Sequence, residues 1–199
     1  MNHRFEAVIK SKAELRAILG SPSEKVLKKI IGKLDQHCKQ FIAHSPFIVI
    51  GTAEASGDAD VSPKGDPAGF VKVLDDKTIA IPERLGNKMA SSFENILENP
   101  KVGLIFFIPG IRETLRVNGT AQLIADQAIL ERLAHNGKSP QLALIVHVEE
   151  VFMHCAKCII RSKLWTEQDP EIKSKIPSLG TILKDHADLD TPDELLDNR

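Results

Sequence analysis

The sequence has few cysteines, almost no net charge and no long apolar run. Three cysteines are an odd number for a chain of 199 residues, so they predict no disulfide framework and indicate a reducing compartment. The formal net charge of −1 argues against a general attraction to nucleic acid or to an anionic membrane surface. Apolar runs such as Phe47–Ile50 and Val102–Pro109 have the length of strands and are too short to span a bilayer.

The sequence also lacks a signal-peptide core and a complete set of metal ligands. Residues 1–10 contain no apolar targeting core, so we expect a cytoplasmic protein. Cys155, Cys158 and His154 offer at most three closely spaced ligands, whereas zinc normally takes four. No second cysteine pair exists, so ordinary thiols are the favoured interpretation and no metal is expected.

The apolar pattern changes along the chain from a helical period to short strands. Residues 11–43 carry apolar stripes at helical spacing, whereas residues 47–155 contain about six strands, mostly joined by hairpins and separated by turn residues. This succession predicts a mainly β fold, an antiparallel barrel with N-terminal helices. We expect one domain with three segments: helices packed on the barrel (1–44), the barrel (45–165) and a helical or loop extension (166–199).

A turn between a predicted strand and a predicted helix has the residues of an anion site. Arg84, Gly86, Asn87 and Lys88 precede a helix predicted from about Lys88 to Glu98. Arginine can donate hydrogen bonds to two phosphate oxygens at once, and lysine adds a positive charge. The first N–H groups of a helix have no hydrogen-bond partner within the helix, so they can also bind an anion. Asn87 is a possible N-cap. The alternative interpretation is a solvated turn before a capped helix.

The order of motifs around this turn resembles the pyridoxamine 5'-phosphate oxidase-like family. The motifs are TAEASGDADVSPKGDPAGFVKVLDDKTIAIPERLGNK, then a helix, then NPKVGLIFFIPG and ETLRVNGTA. The chain is particularly similar to a subgroup of FMN-dependent enzymes without an assigned substrate. The resemblance covers roughly residues 47–165 and implies a six-stranded split β-barrel that binds FMN.

The resemblance also implies which residues meet the cofactor. Arg84, Asn87 and Lys88 would bind the FMN phosphate, and Lys64 would stabilise the reduced flavin. Residues of three predicted strands would lie beside the flavin: Ser62, Lys64, Gly65, Asp66, Phe70, Val71, Thr114 and Arg116. Thr114 and Arg116, on the last of these strands, would come from the partner subunit. The alternatives are a polar hairpin with a surface Lys–Asp pair, and an edge-strand arginine that faces water.

The end of the barrel provides a second group of candidates. Lys157 and Arg161 are four residues apart, so they lie on one helical face, and Ser162 and Trp165 follow. The subgroup ends its barrel with a similar basic segment and a tryptophan, which implies a part of the substrate or flavin pocket. The alternative role of Trp165 is to fill the core.

Two functions of different classes remain open. The first is a homodimeric FMN-dependent oxidoreductase that acts on a small organic molecule, with the flavin at the subunit interface. No general acid or base stands out. The C-terminal segment with arginine and histidine, through which the oxidase binds pyridoxal phosphate, is missing, so vitamin B6 oxidation is not expected. The second is a barrel that holds FMN, a deazaflavin or haem without turnover; for haem, His154 or His44 would be the axial ligand.

Overall fold

Seven antiparallel strands form one sheet in the computed structural model of the chain, which describes residues 5–84, 86, 88–166 and 170–187. The strands are β1 (Phe47–Ala53), β2 (Ala59–Gly65), β3 (Lys72–Asp75), β4 (Thr78–Pro82), β5 (Lys101–Phe107), β6 (Thr114–Ile124) and β7 (Ala143–His154). The helices are α1 (Lys12–Leu19), α2 (Glu24–Lys28), α3 (Gln36–His44), α4 (Ser91–Glu98), α5 (Gln127–Arg132), α6 (Lys157–Ser162), α7 (Ile172–Lys175) and α8 (Leu179–Ala187).

The sheet curls back on itself. Its strand order is β2-β1-β5-β6-β7-β4-β3, so β2 and β4 stand near opposite ends of the hydrogen-bonded order. Nevertheless, Lys64 Nζ of β2 lies 3.1 Å from Oε2 of Glu83, the residue after β4. Asp66 Oδ2 lies 2.6 Å from Nε of Arg84. These two ion pairs can form only if the sheet closes into a barrel, which brings the ends of β2 and β4 together.

Alternating residues of the central strands fill the barrel. Ile48 and Ile50 of β1 are fully buried, whereas Phe47 and Val49 lie on the opposite face of the strand. Burying a side chain of this size contributes about 1.5–3 kcal/mol. The same inward face continues on the neighbouring strands with Leu104, Phe106, Leu115, Val117, Val146 and Val151.

The N-terminal helices differ in how they meet the barrel. α3 packs on it through Cys38 and Ile42, which are buried together with Leu34 just before the helix, and its N-cap Asp35 accepts a hydrogen bond from the backbone N–H of Cys38 at 2.8 Å. In contrast, α1 and α2 contain no buried residue. A backbone bridge between Ile31 and Val151 attaches the segment between α2 and α3 to β7.

The chain divides into two compact units, residues 1–162 and 163–199. The first contains the sheet with α1 to α6, and the second contains α7 and α8. The predicted division into three segments stays a prediction. Among the described residues, no helix is long and apolar enough to cross a membrane.

The predicted fold class, mainly β and antiparallel with flanking helices, is confirmed. The strand count differs, because the sheet has seven strands and the prediction was six. β2 runs from Ala59 to Gly65, so Ser62 and Lys64 lie within a strand. The predicted start of α4, at about Lys88, was wrong, because the helix begins at Ser91.

Candidate functional site

Arg84 follows β4, and its guanidinium is already engaged within the chain. Nε donates to Asp66 Oδ2 at 2.6 Å, and Nη2 donates to the backbone carbonyl of Leu133 at 3.1 Å. The Asp66 side chain is only 11% exposed. The carboxylate therefore fixes the direction of the guanidinium and neutralises part of the charge that was predicted to attract a phosphate.

A cavity of about 100 Å³ opens beside this ion pair. Its lining includes the basic residues Lys72, Arg84 and His135, the acidic residue Asp66 and the apolar residue Phe70. Drug-sized ligands need roughly 300–1,000 Å³. A single chain thus offers a pocket for an anion, and the rest of a flavin must lie outside it.

The turn after Arg84 does not run directly into the helix. Lys88 has a φ of 62° and Ala90, the N-cap of α4, has a φ of 55°, both in the left-handed region. Asn87, the predicted N-cap, lies outside the described residues, and the N-cap of α4 is Ala90. The first turn of α4 instead faces β2, where the Ser92 hydroxyl donates to Asp60 Oδ2 at 2.8 Å. The helix dipole therefore acts beside Asp60.

The candidates on β2 and in the segment before β3 lie on or near the inner side of the barrel. Ser62 and Lys64 pair with Ile50 and Ile48 of β1 and share their face. Lys64 Nζ is held between Glu83 and the ring of Phe93, whose centroid is 4.9 Å away. Two further candidates, Phe70 and Val71, are buried in the core, and Gly65 ends the strand. Contact of these residues with FMN stays a prediction.

Thr114 and Arg116 lie on the other face of the sheet. They alternate along β6 with Leu115 and Val117, which point into the core. Arg116 is exposed, with Nε 3.3 Å from Asn118 Oδ1. Among the described residues, no hydrogen bond or ion pair joins Thr114 or Arg116 to the Arg84 pocket. The two groups of predicted cofactor residues therefore remain separate within one chain.

The basic segment after β7 is divided between the two units. Lys157, Arg161 and Ser162 belong to α6 in the first unit and are exposed, with Ser162 Oγ donating to the carbonyl of Ile159 at 3.2 Å. Trp165 belongs to the second unit and is partly buried there. In the part of the chain that the structure describes, no three His, Cys, Asp or Glu side chains are arranged to hold a metal ion.

Sequence reasoning missed two basic residues of the pocket. Lys72 begins β3 and His135 follows α5, so they are far apart in the chain and meet at the cavity only through the fold. Lys72 had a weak sequence signal, because it follows the predicted flavin neighbours Phe70 and Val71. His135 had none.

The comparison with family models gives one match. The model described as Pyridoxamine 5'-phosphate oxidase covers residues 34–155, which is more than half of the chain and includes the whole sheet. No curated protein matches the chain.

Several solved structures are similar to the chain. The HupZ protein of Group A Streptococcus is 24% identical, with 60% of this chain and 93% of that chain covered and a TM-score of 0.49. A putative pyridoxamine 5'-phosphate oxidase from Lactobacillus delbrueckii is 23% identical, with 61% and 99% covered and a TM-score of 0.48. An FMN-binding protein from Syntrophomonas wolfei subsp. wolfei is 13% identical, with 72% and 94% covered and a TM-score of 0.47.

Proposed function

The chain belongs to the pyridoxamine 5'-phosphate oxidase family, and from this premise we propose that it is an FMN-dependent oxidoreductase acting on a small organic molecule. One observation carries the proposal. Within the family-matched region, the barrel assembles a small pocket whose lining includes three basic residues, where β2 and β4 meet. A phosphate monoester is a fitting guest, because arginine and lysine bind its oxygens through charge-assisted hydrogen bonds.

The residues around the pocket would hold the cofactor in a fixed direction. Asp66 and the carbonyl of Leu133 fix the Arg84 guanidinium, which still has donors to offer to a phosphate. Lys72 and His135 line the same cavity, and Lys88, four residues after Arg84 in the sequence, is exposed. A bound flavin supplies hydride or electron transfer, while the protein binds it, orients it and excludes water.

The size of the pocket supports the homodimer that the family resemblance implies. The cavity of about 100 Å³ accommodates the phosphate and leaves the ring system without walls in one chain. Thr114 and Arg116 stand apart from the pocket on the outer face of the sheet. In the proposed dimer, that face of the partner subunit covers the flavin.

The first experiment identifies the cofactor. Absorption spectra of the purified full chain and mass spectrometry of the released ligand should give the flavin bands and the mass of FMN. A Soret band, or a deazaflavin mass, would contradict FMN. Bleaching of the flavin by a reduced nicotinamide would support an enzyme over a protein that only holds the cofactor.

The second experiment tests the phosphate residues. Replacing Arg84 and Lys88 together by Ala should weaken FMN binding at least about a hundredfold, since each charge-assisted contact contributes roughly 1.5–3 kcal/mol. Fluorescence titration of the apoprotein measures the dissociation constant.

Two controls make the result specific. The double variant Arg16→Ala/Lys28→Ala removes two exposed cations from α1 and α2 and should bind FMN normally. Because Arg84→Ala leaves the buried Asp66 carboxylate without its partner, Lys72→Ala is a second test that keeps this ion pair; it should weaken binding about tenfold. Normal FMN affinity in both pocket variants would show that the phosphate lies elsewhere.

A further inference from the structure

Two cations and a histidine surround one aromatic ring on the outer face of β6 and β7. Phe152 of β7 is the register partner of Arg116. The guanidinium carbon of Arg116 lies 5.5 Å from the centroid of the Phe152 ring, and Lys29 Nζ lies 5.3 Å from it. The His154 ring is also 5.3 Å away between centroids. These residues and Thr114, the register partner of His154, are called the β6–β7 cluster.

The charges of the β6–β7 cluster are not balanced within the chain. Among the described residues, neither Lys29 nor Arg116 forms an ion pair; Lys29 Nζ donates to the carbonyl of Met153 at 3.2 Å. The nearest carboxylate in the hydrogen-bond network is Glu150, which accepts a hydrogen bond from Asn118 Nδ2 at 2.9 Å. Arg116 Nε donates to Oδ1 of the same Asn118 side chain. The cluster therefore has a surplus of positive charge.

Two polar side chains of the cluster also lack hydrogen-bond partners. Thr114 is only 5% exposed, and its hydroxyl makes no hydrogen bond to any residue that the structure describes. The same holds for the partly buried imidazole of His154. Buried polar groups in native proteins are almost always paired with protein, water or ligand. A hydroxyl and a ring N–H thus remain available beside two cations.

The protonation state of His154 suits it to donate one hydrogen bond without adding charge. Burial lowers the pKa of His154 below its ordinary value, and the charges of Lys29 and Arg116 lower it further. The lowered pKa favours the neutral imidazole, in which one nitrogen can donate a hydrogen bond and the other can accept one.

We propose that the β6–β7 cluster binds the oxyanion group of a small organic acid, with Arg116 and Lys29 supplying the charge and Thr114 and His154 supplying hydrogen bonds. A carboxylate and a phosphate ester share this chemistry, since the arginine fork matches both. The inference rests on the proposed function in one respect. The bound acid is the substrate of the protein only if the protein is a flavin enzyme. The oxyanion site itself depends on residues distant in sequence from the Arg84 pocket.

The test follows His154 by NMR in the full-length protein with its cofactor bound. Protein labelled with ¹³C at the histidine rings is titrated with sodium benzoate and, separately, with inorganic phosphate, and the variant His154→Gln identifies the resonance. We expect a saturable shift with at least one probe. The bound anion should also raise the pKa of His154, because a neighbouring negative charge favours the imidazolium.

Matched variants separate the site from general surface charge. Arg116→Met should weaken binding of the probe at least tenfold and Lys29→Met several-fold, whereas Arg116→Lys should keep part of the affinity. Lys101→Met is the control, because Lys101 is an exposed lysine of β5 whose Nζ already pairs with Glu149 at 2.8 Å. Arg116 and Lys29 are exposed in the single chain, so these variants should keep the fold of the parent.

Each of the other possible outcomes either supports or overturns the oxyanion site. No saturable shift with either probe, or equal affinity in Arg116→Met and Lys101→Met, overturns the oxyanion site. Binding of phosphate only after the flavin is removed also overturns it, because the cluster would then belong to the cofactor. Saturable binding with loss on Arg116→Met in a protein that carries no flavin supports the site and refutes the proposed function instead.

Discussion

The three cysteines differ in chemistry because α3 buries one and the region around α6 exposes two. Cys38 is 5% exposed and belongs to the core, whereas Cys155 and Cys158 are exposed. Burial raises the pKa of the Cys38 thiol to about 11, and its hydrogen bond with the Asp35 side chain adds to the shift. Since only the thiolate is nucleophilic, Cys38 is inert in the native protein.

Alkylation tests this difference. At pH 8, iodoacetamide should label Cys155 and Cys158 of the native protein and leave Cys38 unmodified, because roughly one Cys38 in a thousand is a thiolate and the side chain is shielded. Peptide mass mapping measures each site. In urea all three should react, which is the internal control; equal native rates at the three sites would contradict the burial of α3.

At the scale of elements, the longest strand pair contains an irregularity that depends on one glycine. The register between β6 and β7 shifts between Asn118 and Gly119. A Cβ built on Gly119 would collide with the backbone carbonyl of His147 and would come within 3.4 Å of the amide nitrogen of Glu149. Backbone atoms of a paired strand cannot give way as a flexible side chain can, so this position accepts only glycine.

Replacing Gly119 by Ala should therefore destabilise the protein. We expect a loss of about 1–3 kcal/mol in the free energy of unfolding, the usual cost of forcing an extra methyl group into a packed site. Urea denaturation followed by circular dichroism measures it. The control is Gly51→Ala in β1, where the nearest atom to an added Cβ, the carbonyl oxygen of Gly103, is 3.7 Å away. Equal stability of the two variants would count against the close approach at the shift.

At the scale of the whole molecule, the outer face of β1, β2 and β5 carries exposed apolar side chains. Phe47 of β1 is 41% exposed and Val61 of β2 is 65% exposed. Phe107 of β5 packs beside Phe47 on the same face, with ring centroids 6.2 Å apart. Exposed apolar patches can mark interaction sites. These side chains therefore support the proposed homodimer, in which a second copy covers this part of the face.

Val61→Asp tests the dimer because it places a charge on that face without touching the core. The parent should elute with a mass twice that of the 21.9 kDa chain in light scattering, and Val61→Asp should shift toward the monomer. Leu97→Asp is the control, since Leu97 is 74% exposed on α4, away from the outer face. A monomeric parent, or a Val61→Asp variant that stays dimeric like the control, would refute this interface.

The sequence by itself determined the local structure. Alternating apolar residues separated by turn residues predicted the strands, because side chains of a strand alternate between two faces regardless of what lies beyond it. Together with the order of motifs, this periodicity was enough for the mainly β fold class and the family. It did not determine the start of α4, where two left-handed residues, Lys88 and Ala90, delay the helix.

Only the tertiary structure decided which charges meet. Arg84 pairs with Asp66 because barrel closure brings the ends of β2 and β4 together, and Lys72 and His135 reach the same cavity from separate parts of the chain. Lys29, Arg116 and His154 converge on Phe152 through strand register and the bridge that ties residue 31 to β7. Sequence periodicity reports the face on which a side chain lies; its partners are set by the register and curvature of the whole sheet, which arise from contacts between distant residues.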